Sequence, residues 1–316
     1  MMENPAATKR SSVREMIAQS SGSKRKQAVE RAVPVVLFLI AAVSVLTTVG
    51  IVATLIAETV TFFSKVPFWS FVAGTEWMPF SNKDAQFGIL PLIAGTLKVT
   101  LIAVATAVPI GLSAAIYLSE YASERTRKLI KPVLEVLAGV PTIVYGFFAL
   151  TFVTPLLQSV IPHLKIFNAL SPGIVVGIMI IPMIASLSEE AMSAVPNPIR
   201  EGALAMGATR LEVAVKIVLP AALSGILASV VLAASRAIGE TMIVSLAGGS
   251  TPRLDLGLTD SIQTMTAYIV QVSTGDAGYG TPIYYSIYAV GFTLFLFTLL
   301  MNWAAHRITK RFREAY

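Results

Sequence analysis

The sequence predicts an all-α integral membrane protein with six membrane-spanning helices and both termini in the cytoplasm. Three observations carry this expectation. Of 316 residues, 55% are hydrophobic and only 13% charged, against roughly 25% charged in a soluble domain, and the mean hydropathy is +0.73. The charges are missing from long runs, each near the roughly 20 residues a helix needs to cross about 30 Å of hydrocarbon at 1.5 Å per residue. The basic residues, finally, concentrate in alternate connections between those runs.

Residues 1–31 are polar and basic, with Ser-Ser-Gly-Ser at 20–23, and read as a disordered cytoplasmic arm. Ala32 to Ala57 is uncharged, longer than the apolar core of a signal peptide and followed by no small-residue cleavage site, so it reads as a retained helix. A stretch with Trp69, Trp77, Pro79 and Lys83 follows, its aromatics suited to the membrane–water boundary. The second run, about Gly88 to Leu118, is broken only by Lys98. The charged segment Ser119 to Lys131 leads to a third run, about Pro132 to Ile161, and Ser171 to Leu187 is the fourth. The polar connection 188–216 precedes a fifth run, Leu219 to Leu246, interrupted by Arg236 and Glu240. Residues 248–280 are rich in Gly, Thr and Asp, with a short amphipathic helix expected over Ile262 to Val272. The sixth run, about Pro282 to Ala305, ends in a basic tail over 306–316. The six-helix domain is thus 32–305.

Orientation follows from the positive-inside rule. The N-terminal arm, the 119–131 loop, the 188–216 loop and the tail hold 18 of the 24 Lys and Arg, and the alternate loops hold 4. An even number of spans then puts both termini inside. The net charge of +6 is accounted for by this placement and forms no single nucleic-acid-binding patch. With no cysteine and only His163 and His306 in unrelated segments, thiolate and histidine metal sites are not expected. Neither G-x-x-x-x-G-K-[ST] nor G-x-G-x-x-G occurs, so any ATP that drives this chain is expected to bind elsewhere, and no cofactor is expected.

The 188–216 loop is the most informative segment. Glu201-Gly202-Ala203, then Gly207, nine residues, and Ile217-Val218-Leu219-Pro220 resemble the EAA loop of ABC import permeases, E-A-A-x3-G-x9-I-x-L-P, with Gly202 standing where the first alanine is usual. Gly207 permits a sharp turn between two short helices, and Pro220 can open the next helix without losing a needed hydrogen bond. The resemblance implies a type I ABC importer permease fold. It also implies that the coupling loop 188–219 docks on an ATPase, through Glu201, Gly202, Ala203, Gly207, Ala208, Thr209, Leu211 and Pro220. The alternative is a merely interfacial amphipathic hairpin.

Further stretches resemble phosphate permeases of the PstC/PstA family. Phe87-Gly88-Ile89-Leu90-Pro91 with Gly95-Thr96-Leu97, Leu118-Ser119-Glu120-Tyr121-Ala122, Leu137 to Gly146, and Ser235-Arg236-Ala237-Ile238-Gly239-Glu240-Thr241-Met242 carry that likeness. Met242-Ile243-Val244 with Gly248-Gly249, and Gln263-Thr264-Met265-Thr266, are similar to the C-type subunit. The resemblance implies inorganic phosphate as solute. It further implies a homologous PstA-type permease subunit, an ATP-binding subunit dimer and an extracytoplasmic phosphate-binding protein as partners, in a lipid bilayer of the inner membrane. Such a chain moves a solute and is itself no enzyme. Sulfate, molybdate or phosphonate remain alternative solutes. An ATP-independent secondary transporter is a more distant reading, against which no duplication of halves is visible. A membrane enzyme is more distant still, since no charged cluster suits it.

Arg236 lies about 24 Å along its helix from Pro220 at 1.5 Å per residue. An arginine near a bilayer centre costs about 2.5–3.5 kcal/mol on insertion scales, so it needs a partner or a task. Glu240, four residues on, is expected on the same face and within pairing reach. Two readings stand: a structural pair, or a guanidinium facing the path whose planar fork suits phosphate oxygens and whose grip Glu240 tempers. Lys98 either snorkels to the surface or joins the path. Thr96, Thr100, Thr142 and Tyr145 either offer hydroxyls to a pore or bond neighbouring backbone.

Overall fold

The computed structural model describes residues 24–81, 84–275 and 277–311; residues 1–23, Lys83 and the end of the basic tail lie outside them. It divides into two units, residues 1–56 and 57–316.

Within the first unit runs most of helix α1 (Lys24–Phe63). The described part of the 1–31 arm is therefore helical from Lys24, where disorder was expected. From Val33 to Ile56 most apolar side chains are exposed, with Ala42, Val52 and Leu55 half-buried. Thr47, Thr48 and Thr54 each donate their hydroxyl to the carbonyl four residues back, at 2.8 to 3.0 Å. Those polar groups thus need no water, as a bilayer requires.

The second unit begins with the last turns of α1 and α2 (Phe68–Ala73), then a two-stranded antiparallel hairpin, β1 (Trp77–Met78) and β2 (Gln86–Phe87), with Trp77 opposite Phe87. Phe62, Phe71, Trp77, Phe87 and Tyr268 meet edge to face with centroids 4.8 to 6.2 Å apart, the arrangement the ring quadrupole favours. The remaining elements are α3 (Leu90–Tyr121), α4 (Glu124–Gly139), α5 (Thr142–Val160), α6 (Leu170–Ser193), α7 (Asn197–Ala205), α8 (Arg210–Ile238), α9 (Met242–Ala247), α10 (Met265–Ser273) and α11 (Pro282–Arg311). Six of these helices, namely α1, α3, α5, α6, α8 and α11, are long and apolar enough to cross a membrane, which matches the expected number.

Boundaries differ where local chemistry overrides hydropathy. The third span starts at Thr142, with Pro141 as its N-cap, instead of near Pro132. Residues 124–139 form a separate amphipathic helix, capped by the Ser123 hydroxyl accepting from Thr126 N–H. Wide single turns occupy Ala149–Val153 and Ala214–Val218, just before Pro155 and Pro220. There the missing proline N–H leaves the carbonyl four residues back without its usual donor.

The centre of the bundle is α3 against α6. A Cβ on Gly173 would meet the Ile102 side chain at 2.7 Å, one on Gly177 would meet Thr106 at 2.8 Å, and one on Gly111 would meet Ile184 at 2.9 Å. The numbers rise together, so α3 and α6 run parallel, brought close by small residues. Against them α8 runs antiparallel: Gly225 faces Ala191 and the Ser229 and Ser188 hydroxyls bond at 2.8 Å. One end of the bundle therefore carries residues 197–218, and the other carries the starts of α3 and α6.

Candidate functional site

The fifth apolar run is not one helix. Helix α8 stops at Ile238, with the Gly239 N–H turned back to the Ser235 and Ala237 carbonyls, and a new helix, α9, starts at Met242. Arg236 sits in the last turn of α8, where the negative end of the helix dipole favours a cation. Glu240 lies in the break. Its Oε1 accepts from the N–H groups of Met242 at 3.1 Å and Ile243 at 3.3 Å, and its backbone carbonyl accepts the Thr266 hydroxyl at 2.8 Å. The expected Arg236–Glu240 pair is therefore absent, because the helix that would have stacked them one turn apart ends between them.

Arg236 pairs with no carboxylate among the described residues. Its Nη2 lies 3.8 Å from the Met179 sulfur. Met179 is nine residues from the start of α6 and fourteen from its end, so the guanidinium is level with mid-helix. The side chain is exposed on this chain and borders an open cavity of about 500 Å³, together with Glu135 of α4 and Met179, Pro182 and Ser186 of α6. A larger cleft, about 720 Å³, opens at the end that carries residues 197–218, between Glu120, Arg127, Arg200 and Arg210.

Lys98 does not snorkel. It is 9% exposed, and its Nζ reaches Asp255 Oδ1 at 3.0 Å and the Gly257 carbonyl at 3.4 Å. The neighbouring ammonium holds the Asp255 carboxyl below the usual range. Thr96 is no pore hydroxyl: it is buried, donates to the Leu92 carbonyl at 2.8 Å and accepts from Met265 N–H at 3.1 Å, fixing the start of α10. Thr100 and Tyr145 likewise donate to backbone carbonyls, of Thr96 and Leu137.

In the 197–218 segment, Gly207 adopts φ +90° between α7 and the first turn of α8. Thr209 caps that turn in a reciprocal pair of bonds with Glu212. Ala203 and Ala208 are part-buried against the neighbouring cluster and close the hairpin through an N–H to carbonyl bond of 3.1 Å. Glu201, Gly202, Leu211 and Pro220 are exposed, Leu211 at 62% and Met206 at 89%. A Cβ at Gly202 would meet nothing within 4 Å, so the departure from alanine is sterically free.

Residues 107–314 match the family model described as "Binding-protein-dependent transport system inner membrane component". The chain belongs to this family. This permease is 34% identical over 241 residues to "Probable ABC transporter permease protein YqgH" of Bacillus subtilis, covering 75% of this chain and 77% of that protein. It is 35% identical over 249 residues to "Phosphate transport system permease protein PstC" of Xylella fastidiosa, covering 72% and 75%. In fold it resembles a solved bacterial ABC transporter involved in alginate import, with TM-score 0.61 at 16% identity over 88% of this chain and 96% of that one. It likewise resembles the MetNI methionine ABC transporter, with TM-score 0.53 at 17% identity over 72% and 95%. The permease is thus a multi-pass inner-membrane protein with a type I ABC importer permease fold.

Two charged clusters of the permease escaped sequence reasoning. Arg200 of α7 pairs with Glu120 at 3.3 Å, both largely buried, and donates to the carbonyls of Met192, at 2.6 Å, and Val195. Glu189, 2% exposed near the end of α6, pairs with Lys131 at 2.7 Å and Arg127 at 3.7 Å. Together they bind α4 and α7 to the ends of α3 and α6. Arg127 and Lys131 stand at i,i+4 on one helical face, a signal legible only once a helix is started at Glu124.

Proposed function

We propose that this chain is the PstC-type subunit of an ATP-driven importer and forms, with a homologous PstA-type subunit, the path for inorganic phosphate. The observation that carries the reading is Arg236: a guanidinium at mid-helix depth, without a carboxylate partner among the described residues, on the rim of a cavity. An arginine in lipid at that depth costs about 2.5–3.5 kcal/mol or more, so its exposed side is where the second permease and the water-filled path lie. Its planar fork of donors suits phosphate oxygens and offsets part of the anion's lost hydration.

The same reading puts residues 188–219 in the cytoplasm, against an ATP-binding subunit dimer, since the basic residues concentrate on that side. The exposed Met206 and Leu211 offer the apolar anchors for docking, and ATP hydrolysis belongs to those subunits. The opposite end receives an extracytoplasmic phosphate-binding protein. Glu240 acts on the path through the helix break it caps. An oxyanion held weakly in transit passes on, which leaves high affinity to the binding protein. The likeness to relatives named "Phosphate transport system permease protein PstC" supports phosphate as the solute ahead of other oxyanions.

The test is uptake of radiolabelled phosphate by proteoliposomes holding the full complex, with loaded binding protein and ATP, and with sulfate as rival solute. Wild type imports phosphate and not sulfate; Arg236→Gln loses at least a hundredfold of that uptake with the complex still assembled. Normal uptake by Arg236→Gln removes the assigned role, and preference for sulfate removes the substrate.

A further inference from the structure

Away from the Arg236 cavity, five charged side chains meet at the end of the bundle opposite the coupling segment. Lys98 of α3 pairs with Asp255 at 3.0 Å, Arg253 lies 3.7 Å from Asp255 and 3.4 Å from Asp260, and Lys165 pairs with Asp260 at 2.7 Å. Three cations face two carboxylates, so the cluster carries one positive charge in excess.

We propose that this cluster is an oxyanion entry site, in which phosphate arriving from outside displaces the Asp255 carboxylate from Lys98. It rests on the phosphate-permease reading and assigns the same solute a second site.

The exchange is chemically even-handed for both partners. Lys98 is nine-tenths buried, so its ammonium needs an anion in contact at all times. An ammonium has three donors, yet here it meets one carboxylate oxygen and one long carbonyl contact, at 3.4 Å. Asp255, by contrast, is 44% exposed and has other partners waiting. The same oxygen accepts Gly257 N–H at 3.1 Å, and Arg253 stands beside its second oxygen. Swinging away from Lys98 leaves Asp255 neither buried nor alone, while phosphate leaves Lys98 paired.

The scaffold allows that swing. The loop is pinned just beyond it, where Leu258 O accepts from Ala169 and Leu170 N–H at 3.1 and 3.3 Å and Thr259 O accepts from Lys165 N–H at 3.1 Å, so movement can be confined to residues 253–257. Because Ile102 faces Gly173, Lys98 is level with the start of α6, roughly ten residues or about 15 Å from the level of Arg236 and Met179. One phosphate cannot touch both. Two weak sites in succession are what passage of an ion requires.

A purely structural ion pair makes the opposite demand. Losing Asp255 would then strand a buried ammonium and be the worse lesion, whereas an entry site loses only its internal competitor. In phosphate-importing proteoliposomes, Lys98→Gln is expected to cut uptake at subsaturating loaded binding protein at least tenfold, with complex yield unchanged. Lys98→Arg is expected to restore a third or more. Asp255→Asn is expected to lower the half-saturating concentration of loaded binding protein at least threefold. The proposal is overturned if Lys98→Gln imports like wild type, if Lys98→Arg is as poor as Lys98→Gln, if Asp255→Asn leaves uptake unchanged or weakened, or if the losses track complex yield. A wild-type complex that imports no phosphate would instead sink the underlying phosphate reading.

Discussion

Arg236 and Glu240 are four residues apart, yet the helix ends between them, and the carboxylate turns to the N–H groups of Met242 and Ile243 while the guanidinium turns to Met179. Opposite charges in one apolar run invite the inference of a pair. Here each charge is instead assigned to one side of a discontinuity. The discontinuity is itself informative, because broken helices at membrane depth are tolerated only where they are buried in protein or line a cavity, and in transporters they frequent the solute site.

Because Glu240 acts as an acceptor for backbone N–H groups, its shape matters more than its charge. Glu240→Gln keeps a carbonyl oxygen in place and is expected to retain at least a third of wild-type phosphate uptake. Glu240→Ala leaves two N–H groups without their acceptor, at about 1.5–3 kcal/mol for bonds to a charged group, and is expected to lower the thermal unfolding temperature of the purified complex and most of its uptake. If the carboxylate tempered Arg236 through space, Gln and Ala would be equally harmful.

The buried carboxylate of Glu189 predicts a second effect. It is held by Lys131 and Arg127 from α4, both about one-third exposed, so the loss is discounted below that of a fully buried pair. Glu189→Ala is expected to cost about 1–3 kcal/mol and to free α4. Limited proteolysis between Ser123 and Val140 should speed up in the variant, and an unchanged cleavage rate would show that α4 is held by packing alone.

The six spans were legible because hydropathy over about 20 residues is a strong signal. The ends were not, because they are set by single residues: Pro141 starts a helix that apolarity alone would begin at Pro132, and Ser123 starts another inside what reads as a charged loop. The turn at Gly207 was legible, since the positive φ there is a conformation glycine adopts without strain; the Thr209–Glu212 cap beside it is local chemistry that the sequence reading passed over. The partners of Lys98 were not, because Asp255 lies 157 positions away in a loop without periodicity. Thr96 reads as a pore hydroxyl only until Met265, on a distant segment, claims its oxygen.

Gly202 and Gly207 separate conformation from contact. Both have open space where a Cβ would go, but only Gly207 has a φ of +90°. Gly207→Ala is expected to strain the turn by about 1–2 kcal/mol and to lower ATP hydrolysis stimulated by loaded binding protein several-fold. Gly202→Ala, inside α7, gains roughly 0.5–1 kcal/mol of helix propensity and is expected to keep stimulation within twofold of wild type. Equal defects would mean that the ATPase contacts the Cα surface of both glycines.

The chain has no cysteine, so a single introduced thiol reports on the proposed coupling surface alone. Met206 and Leu211 project from the end of the bundle at 89% and 62% exposure, and apolar side chains so exposed carry no folding energy here, so their value lies in what covers them. Leu211→Asp should leave the permease folded and membrane-inserted but release the ATP-binding subunits during purification. Leu211→Cys, the only thiol in this chain, should be shielded from a water-soluble maleimide in the assembled complex and reactive once the ATPase is stripped. Leu256→Cys, 92% exposed in the loop at the opposite end, should react equally in both. Labelling of Leu211→Cys that ignores the ATPase would place the docking surface elsewhere on the permease, whatever the resemblance of residues 201–220 implies.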